Sequence, residues 1–175
     1  SLFVNIVKSQ LTFEEKKGSI DGAKLAWVGD GNNVSNSAIE AAVQFNFSLN
    51  LCVPKNYMPS KKILNWAKSR KGKIEIFNDP KKGVKDVDCI MTDKWISMGD
   101  KVDKNKKKKN LKKFQINDNL IQYAKSDCLF MHVLPAARGD EVTDKVMDGN
   151  NSVVWDQAEN RLHGQKAIID WCLSN

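Results

Sequence analysis

Four polar segments of the sequence carry side chains that could do chemistry: residues 29–33 (GDGNN), Asp79, Asp93 and His132. Each one comes directly after a short apolar run that has the length of a buried strand. In a parallel sheet the carboxyl ends of the strands lie along one edge, so these segments are predicted to converge there. Short amide, carboxylate and imidazole groups on one edge predict a single site for a small charged molecule.

The first of these segments organises the chain. Residues 25–28 (LAWV) predict a buried strand, and the glycines at 29 and 31 permit a tight turn. Asn32 or Asn33 can then cap a helix predicted over residues 34–46. No third glycine follows at the spacing of a dinucleotide-binding turn, so a small molecule with a carboxylate is favoured over a nucleotide.

Strands alternate with helices along the whole sequence. Further strands are predicted at 47–53, 73–77, 87–91 and 128–131, with an edge strand at 152–155. Helices are predicted at 2–17, after Ser60, from Asn117 or Asp118 to Lys125, at 140–147, and at 156–174. This alternation predicts an α/β fold: a doubly wound, Rossmann-like, mostly parallel sheet of about five strands with helices on both faces.

The composition is that of a soluble globular protein. The chain has 175 residues, of which 41% are hydrophobic and 28% charged. It has no apolar run near the roughly 20 residues that span a bilayer and no signal-peptide pattern, so no membrane partner is expected. Cys52, Cys89 and Cys128 lie in apolar runs, which favours buried free thiols in the cytoplasm, or in the mitochondrial matrix of a eukaryote. No cysteine or histidine cluster predicts a metal site.

The positive charge is local. Residues 101–113 contain eight lysines and one aspartate, a net of +7, which equals the net charge of the whole chain. The net charge of all the other residues is therefore zero. A solvated helix or loop is favoured for this run over a phosphate-binding patch, and nucleic acid is not expected as a partner.

Several motifs in order resemble those of ornithine carbamoyltransferase. They are TFEE at 12–15, GDGNN at 29–33, DKWISMG at 93–99, HVLP at 132–135 and ENR at 159–161. The D-x-x-x-S-M-G element is the most specific, because it marks ornithine users. The resemblance implies transfer of a carbamoyl group from carbamoyl phosphate to the δ-amine of ornithine, without a cofactor.

The resemblance also implies which residues hold ornithine. Asn33 would hydrogen-bond the amino-acid head, and Asp93 would pair with the α-ammonium. Ser97 and Met98 would lie on a loop that closes over ornithine, with Gly99 as its flexible end. Each has a structural alternative: a helix cap for Asn33, a turn residue for Asp93, and simple loop packing for Ser97 and Met98.

The second substrate would be held by groups further along the chain. The resemblance places His132 and Val133 at the catalytic position and assigns the backbone of Val133 and Leu134 to carbamoyl phosphate. Arg161 would face the phosphate. The alternatives are a histidine with all its hydrogen bonds satisfied and a surface arginine. Val133 replaces the family's usual cysteine, often cast as the proton acceptor, and valine cannot take that role.

The family's first domain, which binds carbamoyl phosphate, is missing from this sequence. Its H-P-x-Q element aligns on residues 2–5 (LFVN), and its S-T-R-T-R loop is absent. We divide the chain into a leading helix (1–20), an ornithine-binding α/β domain (21–155) and a C-terminal helix (156–175) that would dock on the absent domain. Family members are trimers, so a homotrimer is implied for the complete protein.

Three functions are consistent with these observations. The first is the ornithine-binding half of a carbamoyltransferase, inactive without its partner domain. The second is a degenerate module that binds an amino acid without turnover. The third is an interaction protein that uses its lysine run to contact acidic partners, for which binding would depend steeply on salt.

Overall fold

The structure, a computed structural model, describes residues 2–96 and 103–174, with side chains from Ile6 onward. The strands are β1 (Lys24–Val28), β2 (Ser48–Cys52), β3 (Ile74–Phe77), β4 (Cys89–Thr92) and β5 (Leu129–His132). The helices are α1 (Leu2–Lys17), α2 (Asn33–Gln44), α3 (Lys61–Ser69), α4 (Pro80–Gly83), α5 (Lys104–Leu111), α6 (Asp118–Ile121), α7 (Asp144–Met147) and α8 (Val154–Ser174).

The five strands form one parallel sheet in the order β3-β2-β1-β4-β5. From β1 the chain adds β2 and β3 on one side and then crosses to add β4 and β5 on the other. This reversal opens a crevice at the carboxyl ends of β1 and β4, where ligands bind in doubly wound sheets. The predicted fold class is confirmed.

Apolar side chains cover both faces of the sheet. Leu25 and Trp27 of β1 pack on the side of α2, whereas Ala26 and Val28 pack with Phe114 in a second cluster on the opposite face. Both faces of β1 are buried because helices cover the sheet on each side, which explains the uninterrupted apolar run at 25–28.

Four helix and strand predictions were wrong in their position or extent. Residues 152–155 do not form a strand; Ser152 makes one isolated bridge to Phe130, and α8 begins two residues later. The helices predicted over 118–125 and 140–147 are shorter, each a single turn. β5 ends one residue later than predicted, so His132 is the last residue of the strand instead of following it.

The long terminal helix α8 packs on α1 through buried polar contacts. Gln157 Nε2 donates to Ser9 Oγ at 2.8 Å, and Asn160 Nδ2 donates to Thr12 Oγ1 at 3.0 Å. Beyond this contact its large apolar side chains are exposed: Leu162, Ile169, Trp171 and Leu173. Docking of this helix on another domain remains a prediction.

The described part of the chain has no helix that is both long enough and apolar enough to cross a bilayer. Cys52, Cys89 and Cys128 are buried free thiols, as predicted, and Cys172 is exposed on α8.

Candidate functional site

The predicted site residues follow the carboxyl ends of three adjacent strands, β1, β4 and β5. Thr92 at the end of β4 is in register with His132 at the end of β5. Asp93 and Val133 therefore follow neighbouring strands, which lie about 5 Å apart. Asp79 does not join them, because it follows β3 at the far edge of the sheet and caps α4 by accepting from Lys81 N.

The turn after β1 depends on two glycines. Gly29 has φ +130°, a conformation that side chains rarely adopt, and a Cβ there would lie 3.1 Å from Trp95 Nε1. A Cβ on Gly31 would lie 2.3 Å from Tyr57 O, so only glycine fits against that backbone. The turn delivers Asn32 to the N-terminus of α2.

Asn32 connects the turn after β1 to the turn after β4. Its Oδ1 accepts hydrogen bonds from Val34 N and Ser35 N and so caps α2. Its Nδ2 donates to Asp93 Oδ2 at 3.0 Å. Asn33 is exposed on the first turn of α2, and its side chain lines a groove with Asn36. The structure thus brings Asn33 and Asp93 to the same edge, with Asn32 as the direct neighbour of Asp93.

Asp93 is a half-buried carboxylate held in place by hydrogen bonds. Lys94 N donates to its Oδ1 at 2.8 Å, and Asn32 holds its Oδ2. Burial raises the pKa of Asp93 above its ordinary value, and these hydrogen bonds oppose that rise. Desolvation makes the ionised form costly without a cation, so the carboxylate suits an ammonium ligand.

His132 is buried, and both of its ring nitrogens are hydrogen-bonded. Leu134 N donates to Nδ1 at 2.8 Å, so Nδ1 carries no proton. The proton is therefore on Nε2, which donates to Glu141 Oε1 at 3.1 Å. With both nitrogens used, His132 orients the chain that follows β5 instead of offering a free nitrogen to a ligand.

Glu141 is a site residue that the sequence analysis missed. It is fully buried, and its Oε1 accepts from both His132 and Ala137 N. Its Oε2 has no hydrogen-bond partner among the described residues. The sequence signal for Glu141 is weak, because it is only an acidic residue in a loop, nine positions after His132.

Lys8 of α1 is a second residue that was missed. Only 2% of its surface is exposed, and its Nζ donates to Val133 O at 2.9 Å. Burial and the nearby charge of Arg161 lower the pKa of Lys8, while the charge of Asp93 raises it. The sequence signal that could have pointed to Lys8 is a lysine placed among the apolar positions of α1.

The backbone groups predicted for carbamoyl phosphate lie at this edge but are largely engaged within the protein. Val133 N donates to Thr92 O at 3.2 Å, Val133 O accepts from Lys8, and Leu134 N donates to His132. Leu134 has φ +61°, which is uncommon for a non-glycine residue and frequent at functional sites.

Two of the remaining predicted residues cannot be placed, and the third is exposed near Lys8. Ser97 and Met98 fall outside the described residues. Arg161 is exposed on α8, close enough to Lys8 for its charge to affect that amine. No group of three or more acidic, histidine or cysteine side chains that could hold a metal occurs within residues 2–96 and 103–174.

Part of the lysine run, Lys104–Leu111, forms α5, which is attached to the turn after β1. Lys107 is buried, and its Nζ lies 2.7 Å from Asp30 Oδ2. Lys108 pairs with Asp140 at 2.5 Å on the surface. This pair gives Asp30 a structural role, and part of the run anchors α5 next to the site.

Comparisons with known proteins match nearly the whole chain to one family. The family profile "Aspartate/ornithine carbamoyltransferase, Asp/Orn binding domain" matches residues 21–172. The ornithine carbamoyltransferase of Nitrobacter winogradskyi is 49% identical over 96% of this chain and 54% of its own length. That of Pyrococcus horikoshii is 48% identical over 91% of this chain and 51% of its own length.

Solved structures match to the same extent. Ornithine carbamoyltransferase from Pyrococcus furiosus has a TM-score of 0.88 at 45% identity, covering 95% of this chain and 54% of that one. The anabolic ornithine carbamoyltransferase from Campylobacter jejuni has a TM-score of 0.89 at 30% identity. The match covers 96% of this chain and 57% of that one. This chain spans about half the length of the curated relatives it matches.

Proposed function

Since the chain belongs to the aspartate/ornithine carbamoyltransferase family, we propose that it is the ornithine-binding half of a carbamoyltransferase. The α-ammonium of ornithine pairs with Asp93, and Asn33 hydrogen-bonds the amino-acid head. Ser97 and Met98 close over the ligand. The observation that carries this proposal is the half-buried Asp93 carboxylate, held by Asn32 and Lys94 N at the switch point of the sheet.

In this proposal the complete reaction needs a second half. Carbamoyl phosphate binds to a separate domain and meets this chain at the backbone of Val133 and Leu134, with Arg161 facing the phosphate. His132 is a positioning residue, because its Nδ1 holds Leu134 N and its Nε2 is directed at Glu141. The complete protein is a homotrimer in the cytoplasm or the mitochondrial matrix, a reducing location that the three buried free thiols support.

Calorimetry with ornithine tests the amino-acid site. We expect Asp93→Asn to weaken binding by roughly 10-fold to 150-fold, the loss of about 1.5–3 kcal/mol that a hydrogen bond between charged groups contributes. Asp127→Asn is the matched control, since Asp127 is exposed and pairs with Lys17 just before β5, at the amino-terminal end of the strands. Equal affinity in the protein and in Asp93→Asn would remove Asp93 from the site.

A second candidate function, binding without turnover, is favoured by Val133. A valine side chain has no lone pair to accept a proton from the attacking amine. The two functions are separated by mixing the chain with the carbamoyl phosphate half of a relative such as the Pyrococcus furiosus enzyme and measuring citrulline. Turnover by this mixture supports the transferase half, and turnover only with Val133→Cys supports binding without turnover.

A further inference from the structure

Helix α5 holds the turn after β1 through one face. Lys107 and Asn110 lie one helical turn apart, so their side chains lie on the same side of α5. Lys107 Nζ lies 2.7 Å from Asp30 Oδ2 in the turn, and Asn110 Nδ2 donates to Tyr57 Oη at 3.3 Å. Lys107 Nζ is also 5.7 Å from the centroid of the Tyr57 ring. Two neighbouring side chains of α5 therefore contact both the turn and the loop beside it.

The turn itself has little to hold it in one conformation. Its two glycines have no side chains, and glycine has more backbone freedom than any other residue. The turn is fixed by contacts with its neighbours, because Gly31 N donates to Tyr57 O at 2.8 Å and Trp27 Nε1 donates to Asp30 O at 2.9 Å. The ion pair with Lys107 adds a contact through the side chain of Asp30. By holding Asp30 and Tyr57, α5 therefore fixes the turn from two sides.

The position of the turn sets the position of Asn32, which follows it directly. Asn32 Nδ2 donates to Asp93 Oδ2 at 3.0 Å. A donor and an acceptor about 3.6 Å apart no longer form a hydrogen bond, so a movement of Asn32 by roughly 0.6 Å is enough to lose this contact. The Asp93 carboxylate would then lose one of the two donors that orient it, Asn32 and Lys94 N.

The ion pair between Lys107 and Asp30 is well suited to fixing a position. Its two side chains are 9% and 12% exposed. A buried ion pair often gives no more stability than apolar side chains of similar volume would give. However, separating its two charged groups is strongly unfavourable at this degree of burial. The pair therefore keeps α5 and the turn at a fixed separation.

We propose that Lys107 and Asp30 are positioning residues of the amino-acid site. Their ion pair holds the turn after β1, the turn holds Asn32, and Asn32 orients the Asp93 carboxylate toward the α-ammonium of the ligand. In this role neither Lys107 nor Asp30 contacts the ligand. This inference deepens the proposed function and rests on it, since it requires that Asp93 receives the α-ammonium of ornithine.

Two ligands isolate the interaction with Asp93. The first is ornithine, and the second is δ-aminovaleric acid, which is ornithine without its α-ammonium group. The ratio of their dissociation constants, measured by calorimetry, therefore reports on that group. We expect the unmodified chain to bind ornithine more tightly by roughly 10-fold to 150-fold, as for a hydrogen bond between charged groups. A ratio near one would remove Asp93 from the α-ammonium, and the proposed role of Asp93 would fail together with this inference.

Two variants then break the ion pair. Lys107→Met removes the cation, and the double variant Asp30→Ala, Lys107→Met removes both charges, which a fold tolerates better than the loss of one. In each, the preference for ornithine over δ-aminovaleric acid should fall by more than about twofold and by up to roughly 30-fold, the range for coupling through residues that do not contact the ligand. A general loss of stability lowers both affinities alike and leaves their ratio unchanged.

Lys108→Met is the matched control, because it removes the same charge from α5 but breaks the exposed pair to Asp140. Its ratio should equal that of the unmodified chain. A ratio that stays within about twofold in the test variants, or that falls equally in Lys108→Met, overturns the positioning role. A large ratio in the unmodified chain still upholds Asp93 in that case. Circular dichroism confirms that each variant is folded, and the double variant decides if Lys107→Met does not fold.

Discussion

Asn32 Nδ2 donates a 3.0 Å hydrogen bond to Asp93 Oδ2, and this bond joins the turn after β1 to the turn after β4. The same amide caps α2 through its oxygen. One side chain therefore couples the start of a helix to the orientation of the carboxylate that we propose as the ligand partner.

Replacing Asn32 with alanine should destabilise the protein. The substitution leaves Val34 N and Ser35 N without a cap, and loss of an N-cap costs about 1–2 kcal/mol. Urea denaturation measures the change in the free energy of unfolding. Asn33→Ala is the control, because Asn33 is exposed and an exposed substitution changes stability by about 0.5 kcal/mol or less. Equal losses in the two variants would contradict the assignment of the cap.

The buried ion pair between Lys107 and Asp30 should contribute far more to the free energy of unfolding than the exposed pair between Lys108 and Asp140. Lys107→Met leaves the Asp30 carboxylate, 12% exposed, without this cation. Breaking a buried pair costs about 3–5 kcal/mol, whereas an exposed pair contributes about 1 kcal/mol or less. Lys108→Met removes the exposed pair to Asp140 and is the matched control.

A double-mutant cycle with Asp30→Asn isolates the interaction of Lys107 with Asp30, since both residues have further contacts. A coupling energy near zero, or a smaller loss for Lys107→Met than for Lys108→Met, would show that α5 is not anchored through this pair.

The stability of the unliganded protein should contain a pH-dependent contribution from Asp93. Burial raises its pKa in the folded state above the ordinary 3.8 of the unfolded chain, so the folded state binds the proton more tightly. This contribution is fully present below pH 3.8 and is lost as pH rises through the folded pKa.

Asp93→Asn removes that contribution. In urea denaturation across this pH range, the protein should therefore lose stability relative to the variant as pH rises. The other carboxylates are common to both proteins and cancel in the difference. A difference that is constant with pH, or one that changes in the opposite direction, would contradict the raised pKa.

The four cysteines should differ sharply in reactivity. Burial raises the pKa of Cys52 and Cys128 to about 12 and that of Cys89 well above its usual value, so none of them forms a thiolate at neutral pH. Cys172 is exposed. A thiol reagent should modify one cysteine rapidly in the native protein and all four in denaturant.

Cys172→Ser should abolish the rapid reaction, and Cys89→Ser should leave it intact. Rapid modification of more than one thiol in the native protein would show that the core opens more readily than the packing indicates.

The sequence alone determined the elements and their approximate order. The apolar run at 25–28, the glycines of the turn and the capping asparagine are local signals, because strand burial, tight turns and helix caps depend on residues a few positions apart. They also placed Asp93 and His132 at the carboxyl ends of strands. The motifs at 29–33, 93–99 and 132–135 are also short local patterns, and their resemblance to known motifs identified the family.

Only the tertiary structure decided which of these residues meet. The order β3-β2-β1-β4-β5 puts Asp79 at the far edge and Asp93 next to Val133. The contact of Lys8 with Val133 spans 125 positions of the chain. No local pattern encodes such pairings, since they follow from the packing of α1 against one face of the sheet and of the loop after β5 against His132, which is why Lys8 and Glu141 were found only in the folded molecule.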